Sequence, residues 1–158
     1  MNFLTEHGIS SYGELESKLN AVSARRDTAH AEIKRIESRS AELALVMKHA
    51  GTYRQLKPLY DRYRKSNDKE KFLRGHESEI ILFEAAAREL KRLGTVPLPT
   101  TESMKTELAN LNAEKERLLA KYKAARAEAQ EYETVKQNVD ALLTVPKEQE
   151  QQRRHELE

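Results

Sequence analysis

"YGELESKLNAVSARRDTAHAEIKRIESRSAELALVMKHA", residues 12–50, decides the fold. Two sets of positions repeat through it at alternating spacings of three and four. One is Tyr12, Leu19, Arg26, Ile33, Ser40 and Met47. The other is Leu15, Val22, Ala29, Ile36, Leu43 and Ala50. On a helix this spacing gathers both sets onto one face, the heptad pattern of a coiled coil. Arg26 and Ser40 are polar intrusions of the kind that set register. An arginine at such a place can lay its stem along the seam and lift its charge to water. Upstream, "SYGE" at 11–14 offers Ser11 as a helix cap and Glu14 as its reciprocal partner. "NFLTEHG" before it predicts a short helical turn stopping at Gly8.

A second heptad stretch starts at Met104. One seam is Met104, Leu111, Leu118, Ala125, Tyr132 and Val139, and the other is Leu108, Lys115, Tyr122, Ala129, Lys136 and Leu143. Pro99, Thr100 and Thr101 supply the break and cap before it, and Pro146 is expected to end it. At 1.5 Å per residue each arm spans roughly 60 Å. Neither arm can bury its stripe alone. The fold class that follows is all-α: a long antiparallel coiled-coil hairpin with a small helical head between the arms. A dimer in which each stripe meets a second chain satisfies the same pattern.

The chain then divides into a first arm with a short N-terminal helix (1–50), a head (51–99), a second arm (100–145) and a polar tail (146–158). In the head, Gly51 is expected to interrupt the first arm and helix to resume over 53–65, with Pro58 starting a new helix or kinking this one. "KSND" at 65–68 reads as a break capped by Ser66 or Asn67. "ESEIILFEAAARELKRLG" then reads as a helix stopped by Gly94. Its stripe is Ile80, Phe83, Ala87 and Leu90. Ile81, Leu82 and Leu93 widen it and predict burial on more than one side. "TVPLPTT" is the extended connector to the second arm.

Composition agrees with long helices. Charged residues make up 34% of the chain and aromatic ones only 6%, too little apolar surface for a large globular core. The sustained periodicity argues against disorder, the other reading of so polar a chain. No cysteine is present, which removes disulfides, thiolate metal sites and thiol catalysis. The longest apolar runs fall far short of a membrane span, and "MNFLTEHGIS" has no secretion-signal pattern. The closing Leu157–Glu158 reads as a cloning scar ahead of an affinity tag, so the chain reads as an excised piece of a larger protein.

The formal net charge of +2 hides an asymmetry. Residues 53–74 hold eight basic side chains, Arg54, Lys57, Arg62, Arg64, Lys65, Lys69, Lys71 and Arg74, against Asp61, Asp68 and Glu70. The rest of the chain carries 20 basic and 23 acidic residues, so the whole positive surplus sits here. Such a cluster suits an anionic partner and equally suits a solvated helical corner. Tyr53, Leu56, Tyr60 and Tyr63 share one helix face and read as packing residues. The basic side chains fall mostly off that face, where they can reach phosphate. That contact would be independent of sequence and sensitive to salt.

The five histidines, His7, His30, His49, His76 and His155, include no pair at helical metal-ligand spacing. His76 and Glu77 lack the second histidine of a zinc-protease helix. No glycine-rich phosphate loop or nucleophile elbow occurs. The chain therefore reads as non-catalytic, with no catalytic residue, metal or cofactor.

Four phrases carry a family resemblance: "SYGELE" (11–16), "TYRQLKPLYDRYRKS" (52–66), "HESEIILFEAAARELK" (76–91) and "AEKERLLAKYKAARAEAQEYETVKQNVDALL" (113–143). In this order they resemble the helical region downstream of the nuclease domain in relaxases, the mobilization proteins of conjugative plasmids and transposons. Relaxases nick one strand of transfer-origin DNA with a tyrosine and hold a divalent metal in a histidine cluster. No part of that machinery maps onto this chain. The resemblance implies an accessory, bacterial, cytoplasmic region that assists DNA mobilization, with transfer-origin DNA, single-stranded or duplex, as its partner through the eight basic residues. The alternative it leaves open is a structural coiled-coil module for dimerisation or for docking other transfer proteins. Neither reading involves a membrane or a small molecule.

Overall fold

Among the described residues the chain forms four helices, α1 (Phe3–Glu6), α2 (Tyr12–Lys65), α3 (Lys69–Arg92) and α4 (Thr101–Glu156). The structure is a computed structural model, and it describes the backbone of residues 3–156 and the side chains of residues 3–143. No strand occurs among the described residues, and the class is all-α. The suspected scar, Leu157–Glu158, lies outside the described residues. Two compact units divide the chain: residues 1–33 with 116–158, and residues 34–115.

In the first unit the start of α2 packs against the second half of α4. Tyr12 Oη donates to Asp140 Oδ1 at 2.7 Å. Lys136 lies 3.6 Å from Glu16 and Arg25 3.6 Å from Glu128, and the His30 and Tyr122 rings are 5.6 Å apart. Numbers climb in α2 as they fall in α4, so the two run antiparallel. Leu15, Leu19, Val22, Ala129 and Tyr132 are buried between them, and Ile9 joins from the segment after α1. Phe3 and His7 stack at 4.1 Å, and both meet the Tyr132 ring edge-on. Gly8, at φ +63, turns the chain between α1 and α2.

The cap of α2 differs in detail from the expected reciprocal pair. Ser11 Oγ accepts from the Glu14 N–H at 3.2 Å, as anticipated. The Glu14 carboxylate, however, reaches one residue further back and accepts from Ser10 N at 2.8 Å and Ser10 Oγ at 3.1 Å. Those bonds, the backbone one first, hold its carboxyl below the usual carboxylate range. At the same end, donation to Asp140 pushes the Tyr12 hydroxyl up to about 12. A raised value means that the Tyr12–Asp140 bond contributes fully below the ordinary tyrosine value of about 10 and is lost as pH rises through the folded value. Tyr12→Phe should therefore remove the part of the fall in thermal midpoint between about pH 10 and pH 12 that this bond causes. Paired melts of the two proteins across that range check it; identical slopes would deny the bond a role.

In the second unit α2 runs on without a break, which corrects the expected interruption at Gly51 and the new helix start expected as one alternative at Pro58. Gly51 does not interrupt the arm, because both flanks are helical. A Cβ there would meet nothing within 4 Å, so the site is open and the glycine costs only about 1 kcal/mol of propensity. Pro58 also sits inside α2 rather than at a new start. Its missing N–H leaves the Arg54 carbonyl without an i+4 donor. Burial of Leu59 and the neighbouring ring stacks hold the helix through it. Likewise α4 passes Pro146 instead of ending there, carried on by a run of good helix formers over 147–156.

Leu43, Val46, Ala50, Leu90 and Met104 form the core of this unit, where α2, α3 and α4 meet. Arg39 pins the pairing of α2 with α4. Its guanidinium donates to both Glu107 oxygens, at 2.7 and 3.1 Å, and to Glu42 at 3.2 Å. Lys115, a polar residue in the expected seam, lies 3.2 Å from Glu37. α3 folds back along the end of α2 and stops as anticipated. Thr95 N–H reaches the Leu90 carbonyl and Gly94 N–H that of Lys91, with Gly94 at φ +71, a Schellman ending. Thr100 caps α4 by accepting from Ser103 N at 3.1 Å.

Ile81 and Leu82 contradict the expected two-sided burial of α3; they are 56% and 55% exposed. Ile80, Phe83, Ala86 and Leu90 are the buried set. One buried stripe leaves positions about 100° and 200° round from Ile80 facing water.

Candidate nucleic-acid interface

Of the eight candidate basic residues, Arg54, Lys57, Arg62, Arg64 and Lys65 lie toward the end of α2, and Lys69, Lys71 and Arg74 on the first turns of α3, on either side of a three-residue break. All eight are exposed. Asp68 caps α3, its Oδ1 accepting from Lys71 N at 3.1 Å. The expected caps, Ser66 and Asn67, do not fill that role. Ser66 Oγ instead ties the break together, donating to the Asp68 carbonyl at 3.1 Å and accepting from Asp68 N at 3.3 Å. α3 also begins earlier than expected, at Lys69, and loses helical geometry at His76 (φ −137°, ψ 26°). The helix expected from Glu77 is its second segment.

The eight separate by what they touch. Arg54 donates to the Pro99 carbonyl and to Thr101 Oγ1, so it fastens the connector to α2 and is engaged in the fold. Lys57 lies 3.4 Å from Asp61, one turn on, with its ammonium 6.0 Å from the Tyr53 ring centroid. Arg74 Nε bonds the Glu70 carbonyl at 3.4 Å. The side chains of Arg62, Arg64, Lys65, Lys69 and Lys71 have no hydrogen-bond or ion-pair partner among the described residues. These five flank one helical corner.

The two sides of the corner differ electrostatically. Arg62, Arg64 and Lys65 stand in the last turn of α2, where cations favour the helix dipole. Their presence has a sufficient structural reason. Lys69 and Lys71 stand at the start of α3, where the dipole already points positive. They work against their own helix, and their charge adds to that of the α2 end.

The tyrosines of the same segment pack. Tyr53 and Tyr60 stack on Phe83 at 4.8 and 4.3 Å, both at 25°. Tyr63 continues the row, 5.8 Å from Tyr60 and 6.0 Å from Phe72, and Phe72 reaches His76 at 4.7 Å. Phe72 and the role of Arg54 escaped the sequence reading. Phe72 carries a signal, because Phe72 and His76 are one turn apart; the Arg54 bonds span more than forty residues and have none.

No family model, curated protein or solved structure matches the chain.

Among the described residues, no group of three or more histidine, aspartate or glutamate side chains is placed to hold a metal ion. No described helix is long and apolar enough to cross a membrane.

Proposed function

We propose that the chain is a non-catalytic accessory region of a bacterial, cytoplasmic relaxase, which assists DNA mobilization by gripping transfer-origin DNA at the α2–α3 corner. One observation carries this: five exposed cations, without partners among the described residues, converge on a corner where two of them oppose the dipole of their own helix. Unpaired guanidinium and ammonium groups at such a place suit phosphate, because each contact releases counterions. The ordered resemblance of the four sequence phrases supports the assignment to a relaxase. The paired helices then act as the support that holds the corner.

Fluorescence anisotropy of labelled oligonucleotides across a salt series tests the reading. Binding should be micromolar at low salt. The logarithm of the association constant should fall by about 0.9 per phosphate contact for duplex and about 0.7 for single strands, per decade of salt. No binding at low salt would overturn it.

A second reading, a structural coiled-coil module for dimerisation or for docking other transfer proteins without DNA, is favoured by Ile81 and Leu82, an adjacent exposed apolar pair on α3. Absence of DNA binding together with a mass that rises with concentration would favour that reading.

A further inference from the structure

The aromatic row along α2 and α3 changes character toward the corner. Phe83, only 5% exposed, takes Tyr53 and Tyr60 in two close stacks. Phe83 is core, while Tyr53 and Tyr60 are half-buried. Tyr63 and Phe72 make a wider-spaced pair. Their centroids are 6.0 Å apart at 38°, and Tyr63 is tilted 48° from Tyr60. Both are half-buried, and the Tyr63 hydroxyl has no hydrogen-bond partner among the described residues. In the chain Tyr63 stands between Arg62 and Arg64, and Phe72 follows Lys71. Two partly exposed aromatic rings, of which Phe72 also lies 4.7 Å from His76, thus stand beside the five cations that have no partner among the described residues.

Duplex DNA offers its phosphates and base edges but keeps its base faces stacked. Single strands offer the faces as well, and proteins that bind them combine a cationic track with aromatic platforms. A partly exposed aromatic pair at a basic corner offers unstacked bases a platform that duplex DNA cannot use. We infer that the corner takes single-stranded nucleic acid in preference to duplex, with the Tyr63–Phe72 pair as the base-stacking platform and Arg62, Arg64, Lys65, Lys69 and Lys71 on the backbone. This inference rests on the reading of the corner as a nucleic-acid interface.

The test compares a labelled oligo-dT with a duplex of equal length, at one salt concentration, against wild type, Tyr63→Leu and Tyr63→Phe. Leucine keeps apolar packing against Phe72 and removes the platform; phenylalanine keeps both. Circular dichroism confirms that each variant is folded. Wild type should bind the single strand more tightly. Tyr63→Leu should weaken single-strand binding about tenfold, leave duplex binding unchanged and be rescued by Tyr63→Phe. Equal or tighter duplex binding, or an equal loss on both ligands, overturns the preference and leaves the corner itself standing. No binding to either ligand removes the preference and the underlying reading together.

Discussion

Reversing Arg62, Arg64 and Lys65 to glutamate together should abolish DNA binding while helical content stays as in wild type. The three side chains are exposed and have no partner among the described residues, so their replacement breaks no contact of the fold. Each phosphate contact contributes close to one unit to the salt dependence. Replacing attraction by repulsion should lower affinity at low salt by about a hundredfold or more. The helix will lose a little stability, because glutamate in the last turn of α2 opposes its dipole by about 0.3–1 kcal/mol per residue. Anisotropy and far-ultraviolet dichroism on the same preparation separate the two effects. Binding that survives the triple reversal would mean that the contact lies elsewhere.

Phe83→Ala should be the most damaging single substitution at the corner. Phe83 is buried and is the one ring on which both Tyr53 and Tyr60 stack, so it joins α3 to the end of α2. Truncation removes its transfer free energy and opens a cavity between two helices, typically about 3–5 kcal/mol. The loss falls on the unit formed by residues 34–115. Chemical denaturation followed at 222 nm should show a lower midpoint. Nucleic-acid affinity should fall with it, since Arg62 and Lys69 would lose their fixed relation. A shift below about 1 kcal/mol would mean that the stacks contribute little and that α3 is held chiefly through Leu90.

The architecture was legible because one heptad seam is nearly faultless. Leu15, Val22, Ala29, Ile36, Leu43 and Ala50 are all buried. The companion seam was half right: Leu19 and Ile33 are buried, but past Leu43 the buried position is Val46 rather than Met47. A helix with 3.6 residues per turn drifts against a strict seven-residue repeat, and Leu90 of α3 arrives on that side. Leu143 followed the repeat yet is 59% exposed, because α2 begins at Tyr12, already opposite Asp140. Gly51, Pro58 and Pro146 misled for a common reason. Breaker residues report a local cost of about 1–3 kcal/mol, which flanking helix and tertiary packing can outweigh.

At the candidate site, the cations were legible as a cluster but not as individuals. Nothing local distinguishes Arg54, which braces Pro99 and Thr101, from Arg62, which has no partner among the described residues. That distinction depends on where the connector returns, a long-range fact. The helix periodicity of Tyr53, Tyr60 and Tyr63 indicated packing, and Phe83 and Phe72 are what they pack against. The 6.0 Å spacing of the Tyr63 and Phe72 rings depends on how α2 and α3 meet and leaves no trace in sequence spacing.

Amide hydrogen exchange with and without a saturating oligonucleotide locates the contact directly, since bound backbone opens less often. The account predicts slower exchange confined to peptides covering residues 60–74, with peptides from 12–33 and 116–140 unchanged. Protection concentrated along those paired stretches, or none at the corner with the oligonucleotide bound, would contradict it.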